Sequence, residues 1–160
     1  MIHSQKNILI AFIVSTVLIA VVVLFYQLKL PSDKPVLDKE VIYLDGKKNC
    51  DLVNSECEFV SDNKTVTLKF EGTVRTLQRF KLKTKSYNFN NDILFISATF
   101  SMKSMDMGSN TFKLQKLDST QWDSDILLPI CTSKRSDWNM MFNIETKKSI
   151  YKVIIPLQIK

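Results

Sequence analysis

Histidine is almost missing from this chain. Its one copy, His3, precedes a long apolar run, so everything downstream of that run works without imidazole. This excludes a Ser-His-Asp or Cys-His centre downstream, and any zinc or type-one copper site built on imidazole. Glycine is scarce too: Gly46, Gly72 and Gly108 are the only three, and none stands in a G-x-G or G-x4-G-K context that would cradle a phosphate. No block of lysine and arginine interleaved with aromatics occurs, so nucleic acid is not expected as a partner. The net charge of +6 falls to +4 when Lys6 and Lys29 are set aside, a modest excess that suits a surface facing anionic lipid headgroups. Sixteen acids leave paired carboxylates open. Without a nucleophile-base set, however, the chain is expected not to be an enzyme.

What the chain does have is an unbroken apolar stretch, Ile8 to Tyr26, interrupted only by Ser15 and Thr16. As a helix, nineteen residues would span roughly 28 Å, close to the hydrocarbon thickness of a bilayer. A cleavable signal peptide is the competing reading, with Lys6 as a minimal basic region. The run is longer than such segments, and Leu24-Phe25-Tyr26-Gln27-Leu28 offers no small-x-small cleavage site. The expected organisation is a short cytoplasmic tail over 1–7, a transmembrane anchor over 8–28, a linker over 29–40 stiffened by Pro31 and Pro35, and one extracytoplasmic domain over 41–160. Lysines flank the run on both sides, so charge alone does not orient it. The short tail and the cysteine usage favour a bacterial inner-membrane protein with its C-terminal domain in the periplasm.

Apolar residues in the domain recur with period two, the mark of strands with one buried face. Val66, Leu68 and Phe70 share a face, as do Leu94, Ile96, Ala98 and Phe100, then Trp138, Met140, Phe142 and Ile144, and finally Tyr151, Val153, Ile155, Leu157 and Ile159. Further strands are expected near 41–44, 57–61, 78–84, 111–116 and 124–130, with turns at Asp45-Gly46, Ser61-Asp62-Asn63, Asn90-Asn91 and Met107-Gly108-Ser109-Asn110. Seven to nine short strands in a domain of this size predict an all-β, antiparallel β-sandwich of immunoglobulin-like or cupredoxin-like shape.

Three cysteines, Cys50, Cys57 and Cys131, allow three pairings with one thiol left over. Six residues separate Cys50 from Cys57, with Asn54-Ser55 available for a turn, so a disulfide closing a hairpin is easy there. The spacing is not C-x-x-C, which disfavours a redox dithiol. Cys131 then stands with Met105 and Met107 as the one constellation with metal chemistry in reach. On an extended segment the two thioethers would project from one face, and soft sulfur donors without imidazole select Cu(I). The alternative is packing, since methionine is an adaptable core filler. Trp122 and Trp138 read as core anchors, and Arg135 with Asp137 as a local ion pair at a strand start; a partner-binding role for these four is the functional alternative.

The run Phe100-x4-Met105-Asp106-Met107-Gly108-x-Asn110-x-Phe112-x-Leu114, followed by Trp122, Leu128-Pro129-x-Cys131 and Arg135-x-Asp137-Trp138, resembles membrane-anchored periplasmic β-sandwich proteins of the FixH and YtkA-like type. The resemblance implies one N-terminal helix carrying a small sandwich and a role in copper handling or in assembly of haem-copper oxidases or cation pumps. It places Met105, Met107 and Gly108 on a turn, and Arg135 and Trp138 on a later strand. The chain departs from that pattern in having Lys134 before the arginine and no histidine near the methionines. The expected partners are the lipid bilayer and a membrane protein, and the expected cofactor or cargo is Cu(I). A metal-free interaction module of a membrane complex is the other reading.

Overall fold

The computed structural model describes residues 14–23, 39–46, 50–89, 92–102, 105–133 and 135–160. Two units separate, Met1–Asp38 and Lys39–Lys160. In the first, residues 14–23 are helical, and all ten are exposed although eight are apolar. Among the described residues no helix is long and apolar enough to cross a membrane. The rest of the expected 8–28 anchor, the tail 1–7 and the linker up to residue 38 lie outside the described residues.

The second unit is all-β. Its strands are β1 (Glu40–Tyr43), β2 (Asp45–Gly46), β3 (Cys57–Ser61), β4 (Lys64–Glu71), β5 (Arg79–Tyr87), β6 (Ile93–Met102), β7 (Met105–Lys116), β8 (Gln121–Leu127), β9 (Asp137–Thr146) and β10 (Ser149–Gln158). Alternation decides which face is buried. Val66, Leu68 and Phe70 on β4 and Met140, Phe142 and Ile144 on β9 all point inward, each full burial contributing about 1.5–3 kcal/mol. Leu94 breaks the expected pattern and is half exposed. The register of β6 against β9 shifts between Ile93 and Phe95, and that irregularity turns Leu94 out while Ile96, Ala98 and Phe100 stay in.

The expected sandwich is met in part. The ten strands form one hydrogen-bonded sheet, in the order β1-β10-β9-β6-β7-β8-β5-β4-β3-β2, with the shape of a nearly closed barrel. β7 makes the join, pairing with β6 along Ile96–Leu114 to Phe100–Asn110 and with β8 through Gln115 and Lys116. The first two strands of this unit link the two margins of the sheet. β1 runs parallel to β10, a departure from a purely antiparallel sheet; one residue later, β2 pairs antiparallel with β3 on the opposite margin. Leu44 is the pivot, buried, with its N–H donating to the Lys152 carbonyl at 2.8 Å. Asp45-Gly46 is therefore a strand and not the expected turn, because its pairing is decided by tertiary contact and not by local turn propensity. Gly46 is required there: a Cβ would lie 2.4 Å from Cδ1 of Phe59, its ladder partner.

Strand direction gives the barrel two poles. At the upstream pole lie Lys39, the β3–β4 turn at Asp62 and Asn63, the end of β5, the β7–β8 loop and the β9–β10 turn. At the opposite pole lie the β4–β5 loop, the start of β7, the β8–β9 connection and Ile159-Lys160.

Candidate functional site

Met105 and Cys131 meet at this second pole. Met105 opens β7 opposite Met102, and Cys131 sits in the connection after β8. Cys131 is 4% exposed, and its thiol donates to the Met105 thioether at 3.6 Å. The expected turn at Met107 to Asn110 is instead part of β7. The pairs Phe100–Asn110 and Met102–Met105 leave residues 106–109 facing Ser101 alone, a bulge with Gly108 at φ 71°. A bulge of this kind re-aims side chains at a strand end, and here Met105 is turned to the thiol. Gly108 has open space around its α-carbon, so backbone conformation and not crowding selects glycine there. Met107 lies in β7, but its side chain falls outside the described residues, as do those of Asp106 and Ser109.

Around the sulfur pair the structure places three of the remaining candidates. Asp137 begins β9, and Arg135 clasps it through a fork in which Nε donates to Oδ1 at 2.8 Å and an η-nitrogen donates to Oδ2. The hydrogen bonds to Asp137 hold the guanidinium pKa above its ordinary range. Trp138 follows on the inward face, 1% exposed, flanked in the ladder by Met102 on β6 and Leu157 on β10. Its Nε1 finds no hydrogen-bond acceptor among the described residues.

Trp122 is placed elsewhere. It is buried on β8 near the upstream pole, with Lys116 Nζ 5.5 Å from the ring centroid. Beside it a surface cleft of about 250 Å³ is lined by Lys69, Lys83, Lys85, Glu56 and Glu71. Lys83 and Glu71 form an ion pair across it at 2.8 Å, and the hydrogen bond from Lys83 lowers the pKa of Glu71. Cys50 and Cys57 lie at disulfide distance, with their Cα atoms 5.9 Å apart, beside the start of β3. The Asp51 side chain shapes the intervening turn by accepting from the Val53 N–H and the Asn54 amide.

The described residues at this pole bring together two soft donors. One thioether and one thiol stand together in a half-buried setting, and no group of three His, Cys, Asp or Glu side chains suited to a harder metal occurs among the described residues. Sequence reasoning named these sulfurs but missed their surroundings. Leu77, Leu127 and Ile130 are 63%, 43% and 58% exposed at the same pole. The signal was an aliphatic residue in each loop where a polar one is usual, as in Arg75-Thr76-Leu77-Gln78-Arg79 and Leu128-Pro129-Ile130.

Compared with family models, curated proteins and solved structures, the chain matches none.

Proposed function

We propose that this is a single-pass, membrane-anchored accessory protein whose barrel lies outside the cytoplasm, in the periplasm of a bacterial inner membrane, where it handles Cu(I) or assists assembly of a respiratory or other metal-containing membrane complex. The observation that carries this reading is the 3.6 Å approach of Cys131 to Met105, two soft donors far apart in sequence. Three further features support it. A helix that is apolar and exposed on every side suits lipid; the Cys50–Cys57 pair suits an oxidising compartment; and the likeness of residues 93–145 to FixH and YtkA-like proteins points the same way. On this reading the nearly closed barrel is a variant of the immunoglobulin-like or cupredoxin-like sandwich, its two halves joined through β7. The role is carriage or docking, without catalysis.

Full-length protein, solubilised and reduced, is loaded with Cu(I) and dialysed against a chelator. Near-stoichiometric retention is expected, lost in Met105→Leu and in Cys131→Ser while both variants stay folded. Equal retention in the two folded variants would sink the assignment. Absent retention in the parent chain would favour the second reading, a metal-free interaction module, for which the exposed Leu77, Leu127 and Ile130 speak.

A further inference from the structure

Leu77 is held in a backbone conformation that disfavours it, with its side chain in water. Its φ is +59°, in the left-handed region, where an L-residue with a γ-branched side chain is strained. Asp62 and Asn88 are the other non-glycine residues with positive φ among the described ones, and both are of the short polar kind that tolerates it. Two backbone hydrogen bonds impose the geometry on Leu77: its own N–H donates to the Leu128 carbonyl at 2.9 Å, and the Thr76 N–H donates to the Lys160 carbonyl at 3.1 Å. Strain that the surroundings over-determine, spent on displaying an apolar side chain, marks a surface with a use.

The neighbours define that surface. The Leu77–Leu128 hydrogen bond brings the β4–β5 loop against the segment that carries Leu127 and Ile130, and Arg79 pairs with Leu127 in the ladder. Arg75 and Arg79 bracket Leu77 and are exposed, and neither loop, 72–78 or 128–133, contains an acid. An apolar centre with a cationic rim therefore sits at this pole. Ile130 precedes the buried Cys131, so the surface adjoins the sulfur pair along the chain.

We propose that Leu77, Leu127 and Ile130, rimmed by Arg75 and Arg79, form the docking surface for a protein partner that presents an apolar side chain flanked by carboxylates. This deepens the accessory-protein reading and rests on it: the surface is where a recipient or assembly partner would be brought close to the buried Cys131. An apolar centre supplies affinity by exclusion of water, and the arginine fork selects carboxylates.

The test uses the full-length chain in detergent without added metal, and a displayed library of random twelve-residue peptides as probe. Enriched peptides are expected to carry an aliphatic or aromatic residue next to Asp or Glu, to weaken with salt, and to lose at least tenfold in affinity for Leu77→Asn and for the Arg75→Ser, Arg79→Ser double variant. Leu77→Asn is also expected to melt a few degrees higher than the parent, because asparagine relieves the left-handed strain; weaker binding by a more stable chain cannot be a folding defect. The proposal is overturned by peptides that bind all these chains equally or share a basic or purely polar consensus. It is equally overturned if Leu77→Asn abolishes self-association of the parent chain, or its binding to phosphatidylglycerol vesicles, since the surface then serves a second copy or a lipid face. Because no metal enters this test, loss of Cu(I) retention and loss of docking are read separately.

Discussion

At the upstream pole the described loops are tied by side-chain hydrogen bonds and a ring pair, whereas at the sulfur pole the β4–β5 loop is held by backbone hydrogen bonds from Thr76 and Leu77 and carries an exposed leucine. The β9–β10 turn ties Thr146 to Ser149 by two hydrogen bonds, the Asp118 carboxylate accepts from the Thr120 and Gln121 N–H groups, and Asn88 donates to the Asn63 carbonyl. Phe89 and Tyr151 meet edge to face under Lys64. Lys39, where the chain enters, pairs with Glu145. At the other end Leu77 and Ile130 stay exposed although backbone hydrogen bonds hold their loops. One sheet thus carries one end finished by side-chain hydrogen bonds and one end that displays Leu77, Leu127 and Ile130.

The largest expected effect tests the finished end. Phe89→Ala removes a ring that is 5% exposed and packed on Tyr151, and is expected to cost about 3–5 kcal/mol in urea unfolding. A cost near zero would show that this pole is not what holds the barrel. Next comes the Cys50–Cys57 staple, whose seven-residue separation corresponds to about 2.5 kcal/mol of loop-closure entropy. Melting with and without reductant measures it, and an unchanged melting temperature would remove the pair from any stabilising role. Gly46→Ala, forced against Phe59 where the sheet closes, is expected to cost about 1–3 kcal/mol; a neutral result would mean that the closure gives way freely.

The smallest effect depends on pH. Backbone hydrogen bonds from Thr120 and Gln121 hold the pKa of Asp118 below its ordinary value. A depressed carboxylate pKa stabilises the fold at neutral pH, and that contribution is lost as the pH falls below about 4 and through the lowered folded value. Asp118→Ala should therefore flatten the acid limb of the stability curve. An identical acid limb in the variant would show that the loop stands without its carboxylate.

Most of the strand content was legible in the sequence because it rests on alternation, which needs only one buried face. Val66, Leu68 and Phe70 or Tyr151, Val153 and Ile155 announce themselves without knowledge of their partners. The Cys50–Cys57 pair was legible for the same reason, its geometry being local. What escaped depends on distant residues. Asp45-Gly46 carries the signature of a turn, and its conversion to a closing strand comes from Phe59 and Val60, which no short-range rule connects to it. Leu94 was assigned inward because a register shift has no signature in alternation, and the bulge over 106–109 hid behind a methionine-glycine sequence that reads as a turn. Met105 and Cys131 could be named as candidates, but their meeting across 26 residues is a property of the sheet order.

The partner exchange at Leu44 also sets an order of events. β1 is the first strand of the barrel to be made and β10 the last, and the Lys39–Glu145 contact beside their junction spans 106 residues. Until the final strand is present, β1 has no margin to lie against and the ring stays open. Such long-range pairing places folding in the slow range, roughly milliseconds to seconds, and leaves a strand margin unpaired until β10 arrives. Docking of β10 along β1 is thus the step that ties the two margins of the sheet together.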